Sequence, residues 1–169
     1  MPLKLRALEP SDLDLLYELE NNTSEWSSSS SPLPYSRFAL KQFIKRSLTE
    51  DIYNLRQVRL VIEEVNDSTS QSIGFIDLCD FSPQHQRAEV GIILFPQFRR
   101  LGYAPKALSL LCDYARALSL HQLYAYVLED NLPSQKTFER ADFTKVACMK
   151  DWFLQENYYK NAICYQKRL

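Results

Sequence analysis

The chain has 169 residues, 46% of them hydrophobic and 24% charged, which is enough to bury a core without metal or disulfide staples; one domain over residues 1–169 is expected. Twenty Lys and Arg against twenty-one Asp and Glu leave a net charge of -1, which lacks the positive field of a general nucleic-acid binder. The N-terminus has no apolar signal core, and no apolar run approaches the roughly eighteen residues of a membrane span, so a cytoplasmic protein with no membrane partner is expected.

Leu3 to Ala7 alternates as a short strand, and Pro10-Ser-Asp-Leu opens a helix over about Ser11 to Glu20 on the spacing of Leu13, Leu16 and Tyr17. Asn21 to Pro34 holds Trp26, the serines Ser27 to Ser31 and two prolines, and reads either as a connector or as a lid carrying Trp26 and Tyr35. Phe38, Leu40, Phe43, Ile44 and Leu48 share one face of a helix from about Ser36 to Thr49. Val58 to Val65 and Ile73 to Phe81 read as a hairpin across a polar turn, Asn66 to Ser72. After a second turn, Ser82 to Gln86, the nearly all-apolar Ala88 to Phe95 has the composition of a central strand covered on both faces. A helical stripe from Ala104 to Leu118, a strand Gln122 to Leu128, a short helix Pro133 to Arg140 and strands Phe143 to Phe153 and Tyr158 to Lys167 complete an α+β or α/β pattern with a mixed sheet.

The scarce residues exclude several chemistries. Gly74, Gly91 and Gly102 are the only glycines, and their spacing makes no dinucleotide fingerprint, P-loop or nucleophile elbow. His85 and His121 stand apart from each other and from paired cysteines, so no zinc site can be written and no metal is expected. Cys79, Cys112, Cys148 and Cys164 lie among apolar neighbours and read as small buried hydrophobes in a reducing compartment.

Chemistry concentrates where the central strand ends. Beyond Phe95 come Arg99 and Arg100 in a turn, then Gly102 and a helix start with Pro105 in its first turn, where a missing N–H costs little. Uncapped amides, the helix dipole and two guanidinium groups together describe an anion site. The plainer alternative is a solvated basic turn.

Arg99-Arg-Leu-Gly102-Tyr-Ala104 fits the (Gln/Arg)-x-x-Gly-x-(Gly/Ala) loop that holds the acetyl-CoA pyrophosphate in the GNAT superfamily of N-acetyltransferases. Asn131-Leu-Pro-Ser134 resembles that family's Asn-x-x-Ser beside pantetheine. The opening Leu5-Arg-Ala-Leu-Glu-Pro-Ser-Asp-Leu, the Ile73-Gly74 strand start and Leu120-His-Gln-Leu-Tyr-Ala-Tyr-Val are similar to the branch containing spermidine and ribosomal-protein N-terminal acetyltransferases. The resemblance covers nearly the whole chain. It implies an α+β fold with a mostly antiparallel central sheet, flanked by helices and splayed at the cofactor site.

By the same resemblance, pantetheine would pair with the backbone around Ile93, Leu94 and Phe95, pyrophosphate would rest on Arg99, Arg100 and the amides of Leu101, Gly102, Tyr103 and Ala104, and Asn131, Ser134 and Phe138 would flank the donor. An amine would attack the thioester directly, with a backbone N–H near Leu94 facing the developing oxyanion. Because an ammonium near the lysine pKa of about 10 has no free lone pair, a base is required. Glu89 is the first candidate and Asp77 the second, against the alternative that Glu89 makes a structural hydrogen bond or pairs with Arg87.

The family pattern breaks at Phe138, where relatives often carry a tyrosine general acid; Ser134 and Tyr103 are the remaining hydroxyls nearby. Trp26, Tyr35, Asp77, Trp152 and Tyr158 are candidate acceptor walls, with Glu25 as a further acidic group. The expected activity is acetyl transfer to a primary amine of a polyamine-like small molecule or a protein N-terminus. The alternative is a catalytically weak CoA-binding sensor. The apolar terminal strands fit a homodimer, and no nucleic-acid partner is expected.

Overall fold

A computed structural model describes residues 2–22, 33–66, 69–155 and 157–169. Strand β1 (Leu3–Ala7) leads through a 3-10 turn, Pro10–Asp12, into α1 (Leu13–Glu20), followed by α2 (Arg37–Thr49) and the short α3 (Ile52–Leu55). Strands β2 (Val58–Asn66), β3 (Thr69–Ser82) and β4 (Arg87–Leu94) come next, then a 3-10 turn, Pro96–Phe98, and α4 (Tyr103–Ala117). The chain ends with β5 (Gln122–Leu128), α5 (Leu132–Arg140), β6 (Thr144–Gln155) and β7 (Tyr158–Arg168).

Seven strands form one sheet in the order β1-β2-β3-β4-β5-β7-β6, antiparallel everywhere except between β4 and β5. That parallel pair holds for three positions, Arg87↔Gln122 to Glu89↔Tyr124, and then the strands part while each continues to Leu94 and Leu128. The sheet is therefore split between its halves, with the mouth of the split at the C-terminal ends of both strands.

Alternation along each strand assigns side chains to the two faces. One face packs Leu60, Ile62, Ile76, Leu78, Val90, Leu94, Leu123, Ala125 and Val127 against α4 and α5, where Leu108 and Leu111 are fully buried. Burial of such side chains is worth roughly 1.5–3 kcal/mol each. The opposite face packs Val61 and Phe75 against Leu16, Leu19, Leu40 and Ile44 of α1 and α2. Among the described residues this second cover extends only over the first half of the sheet, and Glu89 on that face is half-buried.

Local chemistry explains the element starts. The Ser36 hydroxyl accepts the Ala39 N–H at 3.1 Å and opens α2; the Asp51 carboxylate accepts the Asn54 N–H at 2.9 Å and opens α3. Four residues are too few to show helical periodicity, which is why α3 is not legible in the sequence. The polar stretch Asn66 to Ser72 departs from its expected reading as a turn: β2 runs to Asn66, and β3 starts at Thr69, which pairs with Asn66. Hydrogen bonding along the hairpin continues where polar side chains face water on both sides. Cys148 also departs from expectation, being exposed on β6, while Cys112 is buried and all four cysteines are free thiols. Among the described residues no helix is long and apolar enough to cross a membrane.

Candidate active site

The floor of the split is backbone. The Phe95 N–H donates to Ile73 O at 3.0 Å on the β3 side, whereas Gln86 O accepts the Gln122 N–H at 3.2 Å on the β5 side. Backbone groups alternate sides along a strand, so the polar groups of Val90, Ile92 and Leu94 face the gap and those of Ile93 and Phe95 face β3. The open edge is thus offered by Ile92 and the Leu94 N–H, the Leu94 carbonyl being taken by Arg99. Of the three residues expected to meet pantetheine, Leu94 lies on that edge, while Ile93 and Phe95 direct their backbone into the β3 ladder. Gly74 makes this part of the sheet possible, because a Cβ there would stand 2.2 Å from Ile93 O.

At the mouth of the split the turn before α4 carries Arg99, Arg100 and Leu101, all exposed. Arg100 and Gly102 take left-handed backbone angles, φ 63 and φ 82. A Cβ built on Gly102 meets nothing within 4 Å, so the need for glycine is conformational and leaves a bare concavity at the helix start. Among the described residues no side chain caps the Gly102 start of α4, whose first residues, Tyr103 and Ala104, precede Pro105. Such a cradle suits a diphosphate. Arg99 does more than carry charge: its Nε donates to Leu94 O at 2.8 Å and fastens the turn to the end of β4.

The side chain of Tyr103 points away from this cradle. It is buried, and its hydroxyl donates to Glu64 Oε1 at 2.7 Å, which together with burial raises its pKa. Asn131 caps α5 by accepting the Ser134 N–H at 3.2 Å, and Ser134 is half-buried. Phe138 is only 3% exposed; its ring stacks on Tyr165 at 6.0 Å and meets Phe143 edge-on at 5.2 Å. It belongs to the core beneath α5.

Glu89 occupies the last position at which β4 and β5 are still paired, opposite Tyr124. Its side chain shares a face with Asp77 and Gly91. Burial, and secondarily the Asp80 carboxylate, push its carboxyl above the ordinary glutamate range. Tyr124 and Tyr126 stand beside it on β5 with rings 5.7 Å apart, and Trp152 of β6 lies 5.1 Å from Tyr126. A cleft of about 370 Å³ opens here, lined by Asp80, Arg87, Tyr124, Tyr126 and Cys164 among others.

Asp77 is differently placed. Arg59 grips it with both ends of its guanidinium, Nε to Oδ1 at 2.8 Å and a terminal nitrogen to Oδ2 at 2.9 Å, and also pairs with Glu20 at the end of α1. The guanidinium lies 5.9 Å from each of the Phe43 and Phe75 rings. Burial opposes its charge, but Asp77 and then Glu20 hold it firmly protonated. Gly91 lies beneath this pair, since a Cβ there would come within 3.4 Å of Asp77 Oδ2. Asp77 is therefore a neutralised partner, less suited to proton transfer than Glu89.

Of the expected acceptor walls, Trp152 joins the Glu89 cluster, whereas Tyr158 is 74% exposed at the start of β7. Tyr35 is tied through its backbone to Asn21, whose side chain accepts the Tyr35 N–H at 2.8 Å and donates to Tyr35 O at 3.0 Å. Glu25 and Trp26 lie outside the described residues. Sequence reasoning missed Asp80, Tyr124, Tyr126 and Arg59. The tyrosines could have been found from the alternation Gln122, Tyr124, Tyr126 against Leu123, Ala125, Val127; nothing local marks Arg59 or Asp80. Among the described residues no group of His, Cys, Asp and Glu is arranged to hold a metal ion.

A split sheet with a diphosphate cradle at its mouth and a carboxylate at its apex is the layout of an acyl-CoA-dependent transferase. The sequence profile of the acetyltransferase (GNAT) domain family matches residues 3–144, and the chain belongs to this family. It is an N-acetyltransferase with acetyl-CoA as donor. Among characterised proteins it is 28% identical to the spermidine N(1)-acetyltransferase of Escherichia coli K12 over 165 residues, covering 95% of this chain and 83% of that one. It is 27% identical to the Vibrio cholerae spermidine N(1)-acetyltransferase over 164 residues, 95% of this chain and 89% of that one. A crystal structure of the spermidine N-acetyltransferase of Vibrio cholerae in complex with CoA and spermine superposes with a TM-score of 0.86 at 25% identity, covering 98% of this chain and 95% of that chain.

Proposed function

We propose that the acceptor is a polyamine and that Glu89 removes the proton from its attacking ammonium. The observation that carries this reading is the position of Glu89 at the apex of the split, beside Asp80, with Tyr124 and Tyr126 next to it and Trp152 against Tyr126. Carboxylates and aromatic faces both favour an ammonium group. The relatives named for spermidine support the same class of acceptor.

Acetyl-CoA supplies the activated acyl group. On the protein side, Ile92 and Leu94 offer backbone along the gap, Arg99, Arg100 and the amides from Leu101 to Ala104 hold the diphosphate, and Asn131 and Ser134 border the opposite wall. The Leu94 N–H is the fixed dipole available to a developing oxyanion. Glu89, with its elevated pKa, accepts the amine proton directly or through water. No hydroxyl at position 138 is needed for departure of the sulfur: once nitrogen has lost its proton it cannot leave as a neutral amine, and the thiolate, whose conjugate acid has a pKa of about 8.5, departs and takes its proton from water.

The test is an amine panel read by CoA release. Spermidine and spermine should exceed a monoamine such as butylamine and an N-terminal peptide in kcat/KM by at least tenfold. A peptide turned over more efficiently than spermidine would overturn the polyamine assignment. Phe138, a core residue beneath α5, lends no support to the alternative of a CoA-binding sensor of little turnover, and turnover of spermidine in the panel excludes that alternative. A Vibrio cholerae relative is described as dodecameric, and for this chain we propose self-association through the β6–β7 hairpin, where Trp152, Leu154, Tyr158 and Tyr159 are exposed. Sedimentation velocity giving a monomer at micromolar concentration would refute that.

A further inference from the structure

The end of β3 breaks its own alternation. Leu78 is fully buried on the α4 face, and strict alternation would send Asp80 to that face as well. Instead the β3–β4 register shifts between Cys79 and Ser82, Asp80 takes a left-handed φ of 46, and Phe81, 2% exposed, fills the place on the α4 face. The result is that the Asp80 carboxylate swings to the opposite face, the one that carries Glu89. There it accepts a hydrogen bond from the Tyr124 hydroxyl, and Tyr124 is the residue paired with Glu89 across the last rung of the β4–β5 ladder. Left-handed conformations and bulges carry a conformational cost, and they persist where the placement they achieve is used.

We propose that Asp80 is a positioning residue that tunes Glu89 as the proton acceptor, with Tyr124 as its anchor. The inference rests on the assignment of Glu89 as base. The titratable and charged groups on the face that carries Glu89 are Asp77, held by Arg59, with Cys79 and Asp80 from β3, Tyr124 and Tyr126 from β5, Cys164 from β7 and Arg87 on its own strand. Burial pushes the Cys79 thiol up to about 12 and raises Cys164, Tyr124 and Tyr126, so these four stay uncharged at neutral pH. Asp80 therefore supplies the negative charge that opposes ionisation of Glu89. An exposed carboxylate acts across solvent, so its influence weakens as salt is added.

Asp80→Asn is the informative variant. Asparagine tolerates a left-handed φ and still accepts the Tyr124 hydrogen bond, so the shape of the bulge is kept while the charge is removed. With acetyl-CoA and spermidine, the acid limb of the kcat/KM profile should move to lower pH in the variant, and the gap between variant and wild type should narrow in high salt. Carboxyl carbon NMR titration should show the Glu89 midpoint falling in parallel, a readout that does not depend on turnover. Coincident acid limbs, or an unmoved Glu89 midpoint in folded Asp80→Asn protein, overturn the proposal. Glu89→Gln separates the two levels: it should replace the wild-type acid limb by a rate that climbs toward the pKa of the amine. If Glu89→Gln keeps the wild-type limb, Glu89 is not the base and the tuning role falls with it, even where the NMR midpoint moves.

Discussion

The Nε of Arg99 is engaged by the Leu94 carbonyl, so this arginine both shapes the turn before α4 and brings positive charge to it. Arg99→Ala should weaken acetyl-CoA binding about 10- to 100-fold, on the scale of a lost charge-assisted hydrogen bond, as measured by calorimetric titration. Arg99→Lys should recover little, because a lysine cannot bond the carbonyl and a phosphate in the same planar geometry. Phe138 has the opposite character. Its ring is enclosed between Tyr165 and Phe143, so Phe138→Tyr buries a hydroxyl and should cost about 1–3 kcal/mol in urea unfolding unless a partner is found. Turnover should change less than twofold. A large rise in kcat would show instead that departure of the thiolate had lacked a proton donor.

At the scale of elements, the strand-turn-helix unit from β4 to α4 combines an open backbone edge with a cradle of helix amides. Gly102 adopts φ 82 with open space around its missing Cβ, so Gly102→Ala should cost about 1–2 kcal/mol of strain. Its methyl group would also enter the concavity, and acetyl-CoA affinity should fall by more than thermal stability alone would explain; titration and melting of the same variant make the comparison. The hexapeptide from Arg99 to Ala104 was legible because its glycine, arginines and helix start are contiguous. The gap it serves was expected from family resemblance, since no local pattern announces that β4 and β5 cease to pair after Glu89 and Tyr124. Which backbone groups face that gap depends on the register with β3, and so Ile92 replaces Ile93 and Phe95 beside Leu94.

For the molecule as a whole, two sets of carboxylates push stability in opposite directions with pH. Burial works against ionised Asp12 and Glu63, yet hydrogen bonds from Arg6, from the Glu9 N–H and from Lys4 hold both below the usual carboxylate range. Their stabilisation is complete above the unfolded carboxylate pKa of about 4 and is lost as pH falls through their lower folded values. Urea unfolding in progressively more acid buffer should show this loss, and Arg6→Gln should flatten it. Glu89 has a raised pKa, so its contribution is complete below the unfolded value and is lost as pH rises through the folded one. Above that folded value the fold carries a disfavoured charge at its apex. Glu89→Gln should melt slightly higher near neutral pH while losing about 10²- to 10⁴-fold in turnover, the usual contribution of a positioned base.

Hydrophobic periodicity, the turn residues and the Arg-Gly loop are properties of neighbouring residues, and the sequence by itself determined from them the main helices and strands and the turn from Arg99 to Gly102 that precedes α4. The fates of Asp77 and Asp80 were decided only by the tertiary structure. Both are aspartates on one strand, three residues apart, yet one is gripped by Arg59 of β2, which it shares with Glu20 of α1, and the other is turned onto the face of Glu89 by a bulge and held by a tyrosine of β5. Charge balance and proton affinity depend on neighbours in space, and those neighbours are chosen by strand register and by where the sheet divides.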